Sequence, residues 1–500
     1  MAFTVYPVQE TAQSCTDYEV KINGTPVALN TARVSKIPFN RRWPGYQRQQ
    51  EQTELVNFLS ASSDEVLTFE ITPKEPFENA VIRPLSLGIS PTCQDGRITF
   101  TLQAPAYFTV EPFGRSRALH IFIDPPVCYE KDPNVIYYGP GEHHVGLIRM
   151  QSNQTLFIDA GAVVYASVEA IDAENIKILG RGILDNSENK AQLLFDHRAE
   201  GNTTAVNNAI RRHTIQLEYC THVQIEGITI RDSLVYNIRP IGCEDLHISF
   251  VKIIGCWRYN SDGIDMHNCK DVLIDNCFLR TFDDSICVKG FDCYYDGDVE
   301  EAVRNAMYRK GKAYDVFQNA LIKNCVVWND WGRCLEIGAE TRAENISNIT
   351  FVNCDVIHVT GPVLDCCNVD YADIHHIAYR DIRVEFDEQI PKPQLQSSDE
   401  EVYENSDPDY APYLIGVTVS YHPEYSAGGD RRGKCHHILF ENIRLFGSQK
   451  PRLRFKGYDE AHKCRDITVK TLYWNDLSVT ATQQIRWLPG DFTENLRLLP

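Results

Sequence analysis

Apolar and polar positions alternate along this chain in short runs, and the runs come in two styles. Over residues 1–130 the segments EVKINGTPVAL, EVLTFEITP, RITFTLQAP, YFTVEPF and ALHIFIDPP alternate with a period near two, broken by Asn-Gly, Pro and Gly turns. That pattern predicts the strands of a β-sandwich. NRRWPGYQRQQEQTE is less regular and reads as a loop or short helix on its edge. From about residue 137 each unit becomes two short apolar strands around a polar Asn or Gly. Such units begin at Asn175, Cys220, Cys243, Cys269, Asn319, Asn345, Asp373, Cys435 and Cys464. Cys220, Cys243 and Cys269 stand 23 and 26 residues apart, with no helical pattern between them. A period in the twenties built from strands alone predicts a parallel β-helix. The rival at this period, a leucine-rich repeat, requires a Leu-x-x-Leu-x-Leu spacing that is missing. The expected architecture is all-β: a right-handed parallel β-helix over residues 131–500, preceded by an N-terminal β-sandwich over residues 1–130.

Two segments interrupt the repeats. Residues 291–317 contain a predicted short helix at DVEEAVRNAMYRK, and residues 387–434 begin with an acid-rich stretch. In a solenoid such insertions gather on one face, often the binding face.

Composition narrows the partners. A formal net charge of −19 argues against nucleic acid and anionic membrane surfaces. No stretch is long and apolar enough to cross a bilayer, and the N-terminus lacks a basic region followed by an apolar one. The expectation is a cytoplasmic protein, or a secreted one if its leader has been trimmed; its oligomeric state is open. Seventeen cysteines without a CxxC pair, many at equivalent repeat positions, predict buried thiols stacked in a ladder. No zinc spacing is present. The doublets His143-His144, His375-His376 and His436-His437 are expected on opposite faces of strands, as surface or loop residues.

The candidate chemistry lies in residues 259–290, YNSDGIDMHNCKDVLIDNCFLRTFDDSICVKG. Asp262 sits in Asn260-Ser261-Asp262-Gly263-Ile264-Asp265, and Asp283-Asp284 follows one repeat later. Each Asp alone is ordinary turn material. In a coiled architecture, however, one repeat returns the chain to the same face on a rung about 4.8 Å away. Crowded carboxylates there cannot all ionise easily, which separates an acid from a base. That is the chemistry of glycosidic-bond hydrolysis. No metal or organic cofactor is called for, because carboxyl groups and a water suffice.

These motifs resemble those of the pectin-lyase-like parallel β-helices, specifically glycoside hydrolase family 28, the polygalacturonases, with family 49 (dextranase and isopullulanase) as clan relative. The family pattern Asn-Thr-Asp-Gly-x-Asp is matched by residues 260–265, and Asp-Asp-Cys-Ile-Ala-x-Lys by Asp283-Asp284-Ser285-Ile286-Cys287-Val288-Lys289. An N-terminal sandwich is closer to family 49. The resemblance implies an inverting hydrolase in which Asp283 protonates the leaving oxygen while Asp262 and Asp284 hold and deprotonate the attacking water. It also implies a carbohydrate substrate contacted by Asn260, Asp265, His267, Lys289, Arg333, Glu336, Arg239, Tyr294 and Trp331. Two departures bear on specificity. Trp331-Gly332-Arg333-Cys334-Leu335-Glu336 stands where the family has Gly-His-Gly, and its uronate-binding Arg-Ile-Lys is replaced by Val363-Leu364-Asp365-Cys366. Arg333 and Glu336 either contact sugar hydroxyls or pair with each other. The lost cations and the acidic insertion lead to the expectation of a neutral oligo- or polysaccharide attacked from its end. The alternatives are a uronate-active hydrolase or lyase on the same fold, and a non-catalytic carbohydrate-binding solenoid.

Overall fold

The computed structural model describes residues 3–9, 14–42, 50–129, 133–188, 213–290, 315–388, 390–396, 410–422, 426 and 431–500. The expected helix at 298–310, the body of the 291–317 insertion, Tyr294 and the acid-rich stretch at 397–409 lie outside the described residues.

The alternating N-terminal runs form two facing sheets. One contains Thr4–Val5, Asn30–Ser35, Thr53–Ser62, Leu119–Asp124, Ala106–Arg115 and Val81–Arg83; the other joins Thr25–Val27, Tyr18–Ile22, Val66–Pro73, Arg97–Gln103 and Thr92–Gln94. Alternate residues of both sheets, among them Leu59, Phe69, Phe108 and Ile121, fill the space between them. Side chains that the first sheet turns the other way do not meet water. Phe58 and Phe122 pack on Ile254, Phe278 and Trp328 of the second domain.

That second domain is a parallel β-helix, one continuous sheet of 30 strands from Val135–Tyr138 to Thr493–Leu499. Its coils stack in register, so Ile238, Ile264, Ile286, Leu335, Leu364 and Ile415 form one inward column. The polar residue in each repeat turns a corner. Asn276, Asn324, Asn353, Asp381 and Asn442 take left-handed φ of 53–56°, a conformation Asn and Asp tolerate better than most residues. The ladder is stitched by Asn324 Nδ2 donating to Asp275 at 2.7 Å and Asn353 Nδ2 to Asn324 Oδ1 at 2.7 Å.

The cysteines stack as expected. Cys220, Cys243 and Cys269 form one buried column and Cys277, Cys325 and Cys354 another, while Cys435 stacks on Cys464 and is faced by Cys366 from a different strand. All described cysteines are free thiols, and Cys366 and Cys435 Sγ are 3.8 Å apart.

Two expectations are corrected. The segment 387–434 is not wholly an insertion, because Ile415–Val419 is a rung paired with Leu364–Asn368 and Arg452–Lys456. Its Leu-Ile-Gly-Val-Thr-Val alternation is hidden between irregular Pro- and Tyr-rich flanks. Nor do the doublets His375-His376 and His436-His437 point to opposite faces. His376 and His437 have φ of +55°, which turns both rings of each doublet to one side. There they stack coil on coil, His375 on His436 at 5.1 Å and His376 on His437 at 5.3 Å.

The seam between the domains is charged and buried. Arg115 bonds Asp387 at 2.6 Å and the Val359 carbonyl at 2.8 Å, and lies 3.4 Å from Asp330. His358 spans Glu111 and Asp387, each at 2.9 Å, while Arg83 holds Glu111 and Glu385. Arg280 faces Asp330 at 3.7 Å. Beyond it, Gln394–Gln396 pairs with Asn40–Arg42 of the sandwich, fastening the start of the insertion to the first domain.

Candidate active site

Along the groove strands Ile264–His267, Ile286–Lys289, Leu335–Ala339 and Leu364–Asn368, alternate residues point inward to the apolar core. The residues between them line the outer side. Register therefore places Asp265, Cys287, Glu336 and Asp365 in one outward column. One step earlier in each coil is a turn, and there Asp262 stacks over Asp284 and Asp284 over Arg333. The bonds Gly263 N–H to Asp284 O and Ser285 N–H to Arg333 O, both 2.8 Å, fix that stacking. Asp283 lies at the same turn, next to Asp284 and not directly beneath Asp262.

The turns are rigid. Asn329 Nδ2 donates to the Asp283 carbonyl at 2.7 Å and reaches Ser285 Oγ and Arg333 O, both at 3.1 Å. Thr281 Oγ1 donates to the same Asp283 carbonyl at 2.7 Å. Gly332 has no room for a side chain, since an added Cβ would lie 2.5 Å from the Asp284 nitrogen.

Lys289 is the hub of the cluster. Its Nζ is 2.8 Å from Asp265, 3.4 Å from Glu340, 3.6 Å from Asp262 and 3.8 Å from Asp284. Arg333 is the second cation, 2.9 Å from Asp365 and 3.3 Å from Glu336. Its backbone N–H donates to Asp284 Oδ1 at 2.9 Å. Six carboxylates thus meet two ion-paired cations, with Asp283 beside Asp262 and Asp284 as a seventh acid of the cluster.

Burial and this imbalance drive the carboxyl groups apart. Burial, then Asp265 and Asp283, push Asp262 well above the ordinary carboxylate range. Burial also lifts Asp265 to about 7 against the pull of Lys289, and raises Glu336 well above its usual value and Asp365 less so. Asp284 goes the other way. Burial opposes its charge, but Lys289, Arg333 and the hydrogen bonds from Arg333 and Glu336 carry it below the ordinary value. One carboxylate that stays ionised beside others that hold protons is the division of labour that acid-base chemistry requires.

The remaining candidates divide. His267 is buried; its Nδ1–H donates to the Gly290 carbonyl at 2.9 Å, and burial among Arg239 and Lys289 keeps it neutral. Arg239, one coil before Asp265, lies beside His213 Nε2 at 3.2 Å and over Tyr236. Trp331 stacks on Phe282 at 5.7 Å and is partly open to the groove. Asn260 has φ +56° and is half-buried in the turn. Glu336 is completely buried, so direct sugar contact is replaced by pairing with Arg333. Sequence reasoning missed Asp365, Glu340, Asn329 and Tyr236, whose ring lies 5.1 Å from Lys289 Nζ. All four lie outside the two motifs, and only coil register brings them in. Among the described residues, Asp284, Cys287 and Glu336 are the one acid–thiol group whose side-chain atoms lie within 4.8 Å of one another. The Cys287 thiol donates to Glu336 Oε2 at 3.1 Å, which fills that space with a proton, and we assign no metal ligand there.

Known proteins resemble this chain in sequence over the segment that holds the site and in fold over nearly its whole length. The model of glycosyl hydrolases family 28 matches residues 146–374. A probable polygalacturonase of Vitis vinifera is 27% identical over 184 residues, 32% of this chain and 38% of that relative, so the chain spans well under half of its length. Dex49A of Penicillium minioluteum superposes with a TM-score of 0.57 at 13% identity, covering 97% of this chain and 96% of that one. A family 28 exopolygalacturonase of Yersinia enterocolitica gives 0.51 at 12% identity over 99% and 96%. These structural likenesses concern the fold: both proteins share it from end to end. The matched segment contains every member of the acid cluster, and over residues 146–374 this chain is similar in sequence to the glycosyl hydrolases of family 28.

Proposed function

We propose that this chain is an inverting glycoside hydrolase acting on a uronate-bearing glycan, from the chain end. The observation that carries the hydrolase reading is the splitting of one acid cluster into an ionised Asp284 and protonated neighbours. Asp284 takes the proton of a water that Asp262, favoured by burial in its neutral form, orients. Asp283 gives a proton to the leaving oxygen. Two carboxyl groups on either side of a sugar with room for water between them invert the anomeric centre. The first-formed product followed by proton NMR is expected to carry the inverted configuration, and a retained anomer would reverse the assignment.

The relative named as a polygalacturonase and the exopolygalacturonase with the same fold support a uronate substrate and end-wise attack. The neutral-substrate expectation rested on the missing Arg-Ile-Lys cations, the acidic insertion and the net charge of −19. Because burial raises Asp262, Asp265, Glu336 and Asp365, the groove repels an anion less than seven carboxylates suggest. A lyase is disfavoured, since Lys289 and Arg333 are both ion-paired and held protonated, leaving neither as a neutral base. A neutral glycan is the second reading, favoured by Asp365 standing against Arg333 where a cation would meet a uronate. Rates on polygalacturonate, its carboxyl-reduced counterpart and short neutral α-linked oligosaccharides separate the two. Preference for the reduced polymer would transfer the assignment to the neutral reading. Binding without product across the panel would leave a non-catalytic solenoid.

A further inference from the structure

Glu336 belongs to neither of the two motifs and is sealed from solvent. It occupies the outward column of the coil after Asp284, and its position is over-determined. The Cys287 thiol donates to Oε2 at 3.1 Å. Oε1 makes no hydrogen bond to a donor among the described residues, and Arg333 Nη1 stands 3.3 Å from it as an ion-pair neighbour. The carboxyl oxygens of Glu336 and Asp284 lie within 4.8 Å of each other and of the Cys287 sulfur. Two carboxylates that close and that buried disfavour each other's charge, which favours one proton shared between them.

The surroundings decide which of the two holds it. Asp284 accepts the Arg333 backbone N–H and faces Lys289. Glu336 accepts only the weak Cys287 thiol donor and pairs with the guanidinium of Arg333, which it shares with Asp365. The charged and titratable groups facing Glu336 are Asp284 from the preceding turn, Cys287 and Lys289 from Ile286–Lys289, Arg333 from its own turn, and Asp365 from Leu364–Asn368. Asp284 and Asp365 favour a protonated Glu336; Arg333 and Lys289 oppose it; burial tips the balance towards the neutral acid.

We infer that Glu336 is a positioning acid for this site: protonated, it donates a hydrogen bond to Asp284 and so keeps the water-activating carboxylate ionised and fixed. It touches no substrate. A hydrogen bond given to the charged form of a carboxyl favours that form, and a carboxylic acid kept neutral by burial serves as such a donor. The inference rests on the hydrolase reading for its kinetic consequence, but not for its protonation state.

The test therefore has two arms. Glu336→Ala removes the donor, and the acid limb of the kcat/KM profile is expected to move up by about one pH unit, roughly tenfold in rate below the limb. Glu336→Gln keeps an N–H donor, and its limb is expected to stay near wild type. If Glu336 were instead an ionised partner of Arg333, glutamine would fail as alanine does; equal shifts in both variants, or no shift in alanine, overturn the inference. The second arm needs no substrate. Infrared difference spectra near neutral pH are expected to show a protonated carboxyl band that Glu336→Gln lacks. Absence of that band overturns the inference even if the enzyme is active. Its presence in a protein that cleaves nothing would sink the hydrolase reading and leave the proton assignment standing.

Discussion

At the seam between sandwich and solenoid, Arg83, Arg115, Arg280 and His358 face Glu111, Asp330, Glu385 and Asp387. In the groove, Asp262, Asp265, Asp284, Glu336, Glu340 and Asp365 face Lys289 and Arg333, and Asp283 adds a further acid beside Asp262. Both clusters are buried, and both sit on turns and strands of the same coils. The first is matched charge for charge when His358 is an imidazolium, and its neighbours Asp387 and Glu111 raise its pKa against burial. The second is left with an excess of acid that only protons relieve. Desolvating charge is costly in either place; at the seam most of the cost is offset by pairing, with Glu385 lifted to about 7 by burial, whereas in the groove several acids retain it as shifted acidity. Perturbed groups in a groove are the physical mark of a site that does chemistry, whereas a balanced buried network fixes how two domains sit together.

The largest expected difference between the two regions is kinetic. Asp283→Asn keeps the shape of the turn but cannot give a proton, so turnover is expected to fall by about 10²–10⁴-fold while the melting temperature stays put. A variant that keeps more than about a tenth of the wild-type rate on an unactivated substrate removes Asp283 from that role. Arg115→Met inverts the pattern. It takes one partner from Asp387, which keeps His358, and from Asp330, which keeps Trp328 Nε1–H and Arg280. Breaking a buried pair from one side costs up to about 3–5 kcal/mol, read by urea unfolding, with turnover unchanged at temperatures where the variant remains folded.

The seam also carries a pH signature of defined sign. His358 is raised in the fold, so its stabilisation is complete below the unfolded histidine value of about 6.5 and is lost as pH climbs through the folded one. Stability of the wild type is expected to decline towards alkaline pH with a slope that His358→Gln lacks. The smallest effect belongs to Asp265. Its carboxyl is raised to about 7, so the folded protein binds this proton more tightly than the unfolded chain, and stability falls as pH rises from about 4 through 7. Asp265→Asn is expected to melt higher than wild type at pH 8, by on the order of 1 kcal/mol, while losing activity. A lower melting point would mean that Lys289 depends on Asp265 more than on Asp262, Asp284 and Glu340.

What could be read from the sequence followed from how local the signal was. Strand alternation and the Asn-marked corners are local, and they announced both domains. Asp262, Asp283 and Asp284 fall in two short motifs on consecutive coils, so their meeting was legible too. Glu336 was legible as a partner of Arg333 but not in its place in the column, and Asp365 not as a site residue, because setting them under Asp265 and Cys287 requires register carried across residues 291–314. The parallel pairing of Thr53–Ser62 with Leu119–Asp124 depends on contacts distant in sequence, which no run of alternating residues encodes. The histidine doublets misled for a different reason: the strand rule of alternating faces fails at a left-handed residue, and nothing in a His-His dipeptide marks which one is turned.

The outward column Arg239, Asp265, Cys287, Glu336, Asp365, Gly416 and Arg454 holds one groove-facing residue per coil, on rungs about 4.8 Å apart. Its inward neighbours, Ile264, Ile286, Leu335, Leu364 and Ile415, belong to the core. Ligand preference and foldedness are therefore written on alternate letters of the same strands. Exchanging Asp365 alters the groove column and leaves the hydrophobic stack beneath it in place, whereas a Cβ added at Gly416 would collide with Asp365 Oδ1 and edits two steps at once. A lineage built on this scaffold can therefore change its groove rung by rung without first unlearning how to fold.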